Sequence, residues 1–401
     1  MTTSDGDGNG NGASTPDRPV VDLTPTAMVA GGDAIARDGE GRVTFVDGGI
    51  PGEHVTAVVL SEHKSHAKAR VVEVIEPSPD RISEPCPEVA RGCGACGWQH
   101  IAIDAQHRFK ADIVRDGLRR LGGIDAPDLQ PMVPLEPWAF RTTVRTAVVQ
   151  GRAGFRRSHS HDAVTVDGCL VAHPLVAELI VDGRYPGARE VVLRCGARTG
   201  ERLAAVTPKR AGAKVPADVR SDHLHEEAAG RRWRISAASF FQTRADGVDA
   251  LADLVGRAAE AFGPPGSAVD LYSGVGVFAA VLATRGWSVT AVESAAVAVA
   301  DARNNLRDLD VDLVVGDVEQ WTPQPTDLVV ADPSRAGLGR PGVAVITATG
   351  ARRVILVSCD AASLGRDAGL LREEGYQLTS VTPVDLFPHT PHVEVVTIFD
   401  R

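Results

Sequence analysis

The chain has 401 residues, room for two or three domains, and its 43% hydrophobic and 23% charged residues are ordinary for a globular protein. Six cysteines are too few for a disulfide scaffold. No run of 18 uncharged apolar residues is present to cross a membrane, and the N-terminus lacks a basic-then-apolar leader, so a cytoplasmic location with reduced thiols is expected. The net charge of −10 excludes a uniformly basic nucleic-acid binder but not a local basic patch.

Residues 1–18 are rich in Gly, Asn, Ser and Asp and should be disordered. Residues 19–78 alternate β-branched runs (43–46, 55–59, 70–75) with glycine turns at 47–49 and 51–53. That pattern predicts about five short strands and a small barrel of the oligonucleotide-binding kind. The stretch 61–70 reads as a basic loop between the last two strands, either solvated or touching nucleic acid. Residues 79–235 form a central segment. It holds Cys86, Cys93 and Cys96, then a helix over 101–124 ending at Gly122-Gly123, then mostly short strands from 138, with a basic run at 154–159.

From residue 267 the texture changes. An apolar strand (268–271) meets a glycine loop (272–276) and a helical run through Arg285. Strand 288–293, helix 294–306, strands 312–315 and 327–331, strand 353–357 and helix 361–374 follow, with a closing hairpin near 377–384 and 393–399. This alternation predicts an α/β, doubly wound parallel sheet that binds its ligand at the carboxyl ends of the strands.

Four motifs fall on that edge. Asp270-Leu271-Tyr272-Ser273-Gly274-Val275-Gly276 lets a ligand approach the backbone, and Glu293 stands where an acid commonly holds ribose hydroxyls. The pattern fits a dinucleotide or S-adenosylmethionine; the missing third glycine tilts away from NAD. Asp332-Pro333-Ser334-Arg335 reads as an acid aimed into the cleft or as a polar turn. Cys359 ends another strand, before a helix whose N-terminus should favour its thiolate; the bland reading is a small buried hydrophobe. Cys195 has no such setting and reads as structural. Glu394 interrupts an apolar strand and reads as a base or as an edge carboxylate facing water. The cysteines at 86, 93 and 96, with Cys169 as fourth ligand, suggest a metal or cluster; spacing alone also allows zinc or free buried thiols.

In the order DLYSGVG, DPSRAG, SCD, HVEVV, preceded by Phe240-Phe241-Gln242, these motifs closely resemble the RNA uracil-C5 methyltransferase family, and the likeness spans nearly the whole chain past residue 18. The resemblance implies a TRAM-like RNA-binding β-barrel at 19–78, a central mainly-β domain with a cysteine cluster at 79–235, and a class I, Rossmann-like methyltransferase domain at 236–401. It implies that Cys359 adds to C6 of a uridine, which turns C5 into a carbanion that takes the methyl group, and that Glu394 removes the C5 proton. Gln242, Tyr272, Gly274, Glu293, Asp317 and Asp332 would bind S-adenosylmethionine, Glu293 at the ribose and Asp317 near the adenine, with Arg335 supporting Asp332. Cys86, Cys93, Cys96 and Cys169 would hold a [4Fe–4S] cluster, with zinc as the alternative. The partner would be RNA, ribosomal rather than transfer RNA, with an unpaired target base; no membrane and no obligate protein partner are expected.

The chain departs from the family in places. Six residues separate Cys86 from Cys93, one more than usual, and DPSRAG replaces the commoner DPPR form. Asp360-Ala361 replaces Asn-Pro, and Val277 and Thr243-Arg244 stand where asparagines are common. An acid beside Cys359 should raise the thiol's pKa. The competing expectation is a catalytically inactive RNA-binding iron–sulfur protein on the same scaffold.

Overall fold

The computed structural model describes residues 18–158 and 160–401. The N-terminal tail, Arg18 apart, and His159 of the basic run lie outside the described residues. The chain divides into two units: residues up to Val29 with Asp33–Arg81, and Ala30–Gly32 with Ile82–Arg401.

The first unit holds strands β1 (Val20–Leu23), β2 (Ala27–Met28), β3 (Ala34–Arg37), β4 (Val43–Asp47), β5 (His54–Glu62) and β6 (His66–Glu76). They form one six-stranded sheet in the order β1-β5-β6-β4-β3-β2. Val55, Ala57 and Val59 of β5 are buried at alternate positions, the period-two pattern of a strand with one covered face. The stretch expected as a basic loop is mostly strand. Only residues 63–65 turn, and β6 buries Ala67 and Ala69 while Lys68 and Arg70 are exposed. The alternation was present in the sequence but was masked by the charges between the alanines.

In the second unit, Cys86 precedes a single helical turn, α1 (Pro87–Ala90). Helix α2 (Ile103–Gly122) ends, as its glycines predict, with Gly123 in the left-handed conformation at φ 62°. Strands β7 (Thr143–Val149), β8 (Arg152–Arg156), β9 (Ala163–Thr165), β10 (Glu190–Cys195) and β11 (Arg202–Thr207) form an antiparallel sheet in the order β11-β10-β7-β8-β9. Helix α3 (Pro174–Val181), which the strand reading of this stretch did not foresee, begins with proline at its first turn, where no N–H is missed. A hairpin of β12 (His223–Ala228) and β13 (Arg231–Ser236) leads to helix α4 (Ala245–Glu260).

The remaining elements are β14 (Ser267–Leu271), α5 (Val277–Ala283), β15 (Ser288–Glu293), α6 (Ala296–Asn305), β16 (Val311–Val315), β17 (Leu328–Ala331), α7 (Gly339–Thr349), β18 (Arg353–Ser358), α8 (Ala361–Glu373), β19 (Gln377–Val384) and β20 (Glu394–Asp400). Their strands make a seven-stranded sheet, β16-β15-β14-β17-β18-β20-β19, parallel through β18 and closed by the expected antiparallel hairpin, with β20 inserted beside β18. All four residues of β17 are buried, as are residues 354–358 of β18, the continuous apolar run of a strand covered on both faces.

Two features join the segment before residue 235 to this sheet. Helix α2 lies against α8 at glycine contacts. A Cβ at Gly117 would stand 2.5 Å from the Ala361 carbonyl oxygen, and one at Gly365 would stand 2.3 Å from the Gly117 carbonyl oxygen. Residues 128–133 also run along β19: the Gln130 N–H donates to the Val381 carbonyl at 2.8 Å, and the Val133 N–H to the Pro383 carbonyl at 2.9 Å. Among the described residues no helix is long and apolar enough to cross a membrane.

Candidate active site

The chain turns sharply where β14 ends. Tyr272 adopts φ 61°, a left-handed backbone that non-glycine residues seldom take, and Gly274 and Gly276 follow at 57° and 95°. A Cβ on Gly276 would meet Leu306 at 2.7 Å, so this glycine answers both a backbone and a packing demand. Asp270 is fully buried; its Oδ2 accepts the Ala279 N–H at 2.7 Å in the first turn of α5. Burial, with Asp332 and Glu293 nearby, holds its carboxyl well above the usual range. Glu293 ends β15 and accepts the Gly274 N–H at 2.8 Å and the Ala295 N–H at 2.6 Å. The Tyr272 hydroxyl donates to Glu319 at 2.9 Å.

This loop forms one wall of a concave cavity, the kind of place where small molecules bind. Phe240, Phe241 and Gln242 form another wall, with Val277 and Phe278 of α5 and Asp332 completing it. Of the residues expected at the cofactor, Gln242, Tyr272, Gly274 and Asp332 line the cavity. Glu293 stands behind the wall, one hydrogen bond from it. Asp317 lies past the end of β16, where its side chain accepts from Gln320 at 3.2 Å, and does not itself line the cavity.

Beside this cavity three neighbouring strands bring chemistry to one edge. Asp332 follows β17, Cys359 follows β18, and Glu394 opens β20. The register pairs Ala331 with Leu356 and Ser358 with Val395, so the three side chains emerge at the same end of the sheet. Glu394 is 2% exposed. Its burial, reinforced by Asp332, holds its carboxyl well above the ordinary value, and burial pushes Asp332 up to about 7. The Cys359 thiol is pushed up to about 11 by burial first and then by Glu394 and Asp332; Arg335 pulls the other way, and Asp360 adds a smaller upward push.

Burial and the two carboxylates thus oppose the thiolate that the following helix's N-terminus was expected to favour. Asp360 itself caps α8, its Oδ1 accepting the Ser363 N–H at 2.8 Å.

The nine residues 385–393 link β19 to Glu394 and carry contacts that the sequence reading did not single out. Lys110 of α2 is fully buried and places Nζ 2.6 Å from Asp385 Oδ1 and 3.0 Å from the Phe387 carbonyl. His107 Nε2 lies 3.0 Å from Asp385 Oδ2. A usable signal existed for Lys110. It shares the buried stripe of α2 with Ile113, Val114 and Leu118, where an unpaired cation would be costly. His389, at φ 64°, stacks on Trp138 with ring centroids 4.0 Å apart. Burial pushes both His389 and His392 down to about 4, so both are neutral at pH 7.

Away from this edge, Cys86, Cys93, Cys96 and Cys169 line one small apolar pocket together with Phe155 and Val171. Burial pushes the Cys96 thiol up to about 12 and raises Cys93 and Cys169, and a thiolate formed at one would raise its neighbours further. Gly94 lets the loop reach β8, its N–H donating to the Arg156 carbonyl at 2.9 Å; a Cβ there would stand 2.4 Å from the Ser158 nitrogen. Among the described residues no three His, Cys, Asp or Glu side chains stand close enough to hold a single metal ion. Cys195 is buried in the core around β10, against which Cys93 and Cys169 also pack, and does not line the pocket itself.

No family model matches the chain. Among curated proteins it is 36% identical to an uncharacterized RNA methyltransferase of Streptomyces coelicolor, over 95% of this chain and 92% of that one. It is 31% identical to the 23S rRNA (uracil(1939)-C(5))-methyltransferase RlmD of Alkalilimnicola ehrlichii, over 96% of this chain and 97% of that one. Among solved structures, the tRNA (uracil-54, C5)-methyltransferase of Pyrococcus abyssi in complex with S-adenosyl-L-homocysteine matches 94% of this chain and 100% of its own, with a TM-score of 0.71 at 23% identity.

Proposed function

The chain belongs to the S-adenosylmethionine-dependent RNA uracil-C5 methyltransferases, and we propose that it methylates an unpaired uridine of ribosomal RNA through a covalent bond between Cys359 and C6 of the base. The observation that carries this reading is the convergence of Cys359, Asp332 and Glu394 on three adjacent strand ends beside the glycine-loop cavity.

Uracil C5 is too weak a nucleophile to accept a methyl cation equivalent unaided. As the Cys359 sulfur bonds to C6, its proton leaves to solvent, and the thiolate freed at the end of the turnover takes its proton back from the neighbouring carboxylate pair. Two carboxyl groups in so dry a site do not both stay charged, so Asp332 and Glu394 share a proton between them. The ring's electrons then gather at C5, which becomes methylated. Glu394 takes the C5 proton, the C5–C6 double bond re-forms and the C6–S bond breaks, which frees Cys359. Its raised carboxyl makes Glu394 a stronger base than an ordinary carboxylate. S-adenosylmethionine, held by Gln242, Tyr272, Gly274 and Asp332 with Glu293 and Asp317 on adjoining strand ends, supplies the electrophilic methyl group. Phe240, 66% exposed at the cavity rim, offers a flat face against which an extruded base can rest.

The four cysteines line one apolar pocket, a donor set that suits a [4Fe–4S] cluster, with zinc as the alternative. A [4Fe–4S] cluster there would take the buried sulfurs as thiolates and brace the loop; methyl transfer itself is redox-neutral. Anaerobically purified protein should be brown, with broad absorbance near roughly 400 nm. The first unit, with Lys68 and Arg70 exposed on β6, is the TRAM-like RNA-binding element of this reading.

The ribosomal assignment follows the RlmD relative, which matches over nearly its whole length. The decisive experiment is mass mapping of 5-methyluridine in total RNA from a deletion strain, complemented with the wild-type gene or with Cys359→Ala. One modified ribosomal uridine should disappear on deletion and return only with the wild-type gene. Its return with Cys359→Ala would refute the nucleophile, and loss from transfer RNA instead would refute the substrate.

A further inference from the structure

The loop between β19 and β20 is held by a helix from a distant part of the chain. Val384, the last residue of β19, is paired with Glu394, the first of β20, and residues 385–393 loop out between them. Helix α2 grips this loop at three successive points. Lys110 bonds Asp385 and the Phe387 carbonyl, at 2.6 and 3.0 Å. His107 bonds the other Asp385 oxygen at 3.0 Å. Gln106 accepts the His389 N–H at 2.7 Å, while Trp98 donates its N–H to the His389 carbonyl at 2.9 Å. Within the loop the Thr390 hydroxyl donates to the Phe387 carbonyl at 2.7 Å and accepts the His392 N–H at 3.3 Å.

This arrangement is costly as a device for stability alone. Lys110 and Asp385 are both fully buried, and an apolar pair of similar volume commonly packs as well or better than a buried ion pair. His389 is held in a left-handed conformation with both its N–H and its carbonyl bonded, the mark of a backbone over-determined by its surroundings. What the ion pair supplies and apolar side chains do not is one fixed geometry for the residues that lead into Glu394.

We propose that Lys110 and Asp385, with His107, are positioning residues that hold the Glu394 carboxylate in line with C5 for the final proton abstraction. The inference rests on the reading of Glu394 as the base. It separates two steps of the reaction: adduct formation at Cys359 should survive loss of the ion pair, and release of the methylated RNA should slow.

The test compares Glu394→Gln, Asp385→Asn, Lys110→Met and His107→Gln in the full chain, with RNA from the deletion strain as substrate. Three quantities are measured: the SDS-resistant protein–RNA adduct, the kcat for 5-methyluridine formation, and KM for RNA and S-adenosylmethionine. Glu394→Gln should accumulate methylated adduct. Asp385→Asn and Lys110→Met should accumulate it too, with kcat down by roughly 10- to 100-fold, the range for a base displaced by about 1 Å, and KM within about twofold of wild type. His107→Gln, which leaves the Lys110 contact intact, should show a smaller effect in the same direction and carries the test if Lys110→Met does not fold. If Glu394→Gln traps adduct while Asp385→Asn and His107→Gln do not, or if KM rises with no adduct, the positioning role is overturned. If Glu394→Gln itself traps none, the base assignment fails instead.

Discussion

The carboxylate of Asp360 accepts the Ser363 N–H at 2.8 Å, so the acid next to Cys359 in the chain is engaged as the cap of the helix that follows. That contact accounts for an acid at this position without invoking loss of activity. Asp360→Asn keeps an equally good cap and removes the charge, so stability should hold while the thiol becomes slightly more acidic. Asp360→Ala should cost about 1 kcal/mol, as lost N-caps do. Urea unfolding of the two variants checks the difference.

A thiol pushed up to about 11 is protonated at neutral pH. The thiolate fraction then grows with pH, so iodoacetamide modification of Cys359, followed on its peptide by mass spectrometry, should speed up roughly tenfold per pH unit between pH 7 and 9. Asp332→Asn removes one of the two carboxylates that push the thiol up, and the profile should move to lower pH. A flat profile would show that the thiolate is already formed in the resting enzyme.

The α2–α8 contact makes a counterintuitive prediction. Alanine is a better helix former than glycine by about 1 kcal/mol. Yet Gly365→Ala and Gly117→Ala place a methyl group against backbone carbonyls that cannot move without parting the helices. Both should lower stability by roughly 1–3 kcal/mol, measurable as a reduced unfolding midpoint.

Asp385 gives the acid side of the stability curve. Burial alone would raise its carboxyl, but His107 and Lys110 outweigh it and hold the group below the ordinary range. A carboxyl depressed in the folded state contributes stability above its unfolded pKa of about 3.9 and loses that contribution as pH falls through the folded value. Asp385→Asn should be less stable than wild type at pH 6, and the gap should narrow as the pH approaches 3. Chemical denaturation across that range reads it directly.

The large sheet was legible because its strands are short, apolar-rich runs alternating with helical stretches, and 288–293 of its parallel part and 377–384 of its closing hairpin match their strands residue for residue. Local signals also located the glycine loop, Asp332, Cys359 and Glu394. What escaped was set by distance along the chain. Lys110 and Asp385 are 275 residues apart, and neither has a partner nearby in sequence that hints at the other. Helix α3 is eight residues long, too short for periodicity to stand out among strands. For the thiol, the upward push of the adjacent Asp360 was readable in the sequence, whereas the larger pushes of Glu394 and Asp332 come from other strands.

The strip at residues 128–133 zips onto β19 from outside, in the place where the large sheet would otherwise end. A fragment trimmed to 236–401 would lose this strip together with α2. It would present an unclad outer strand, free to stitch to its own copies, and a bare groove on α8. Fragments for expression or grafting should therefore begin no later than residue 82, and any catalytic half expressed alone should be recovered as aggregate.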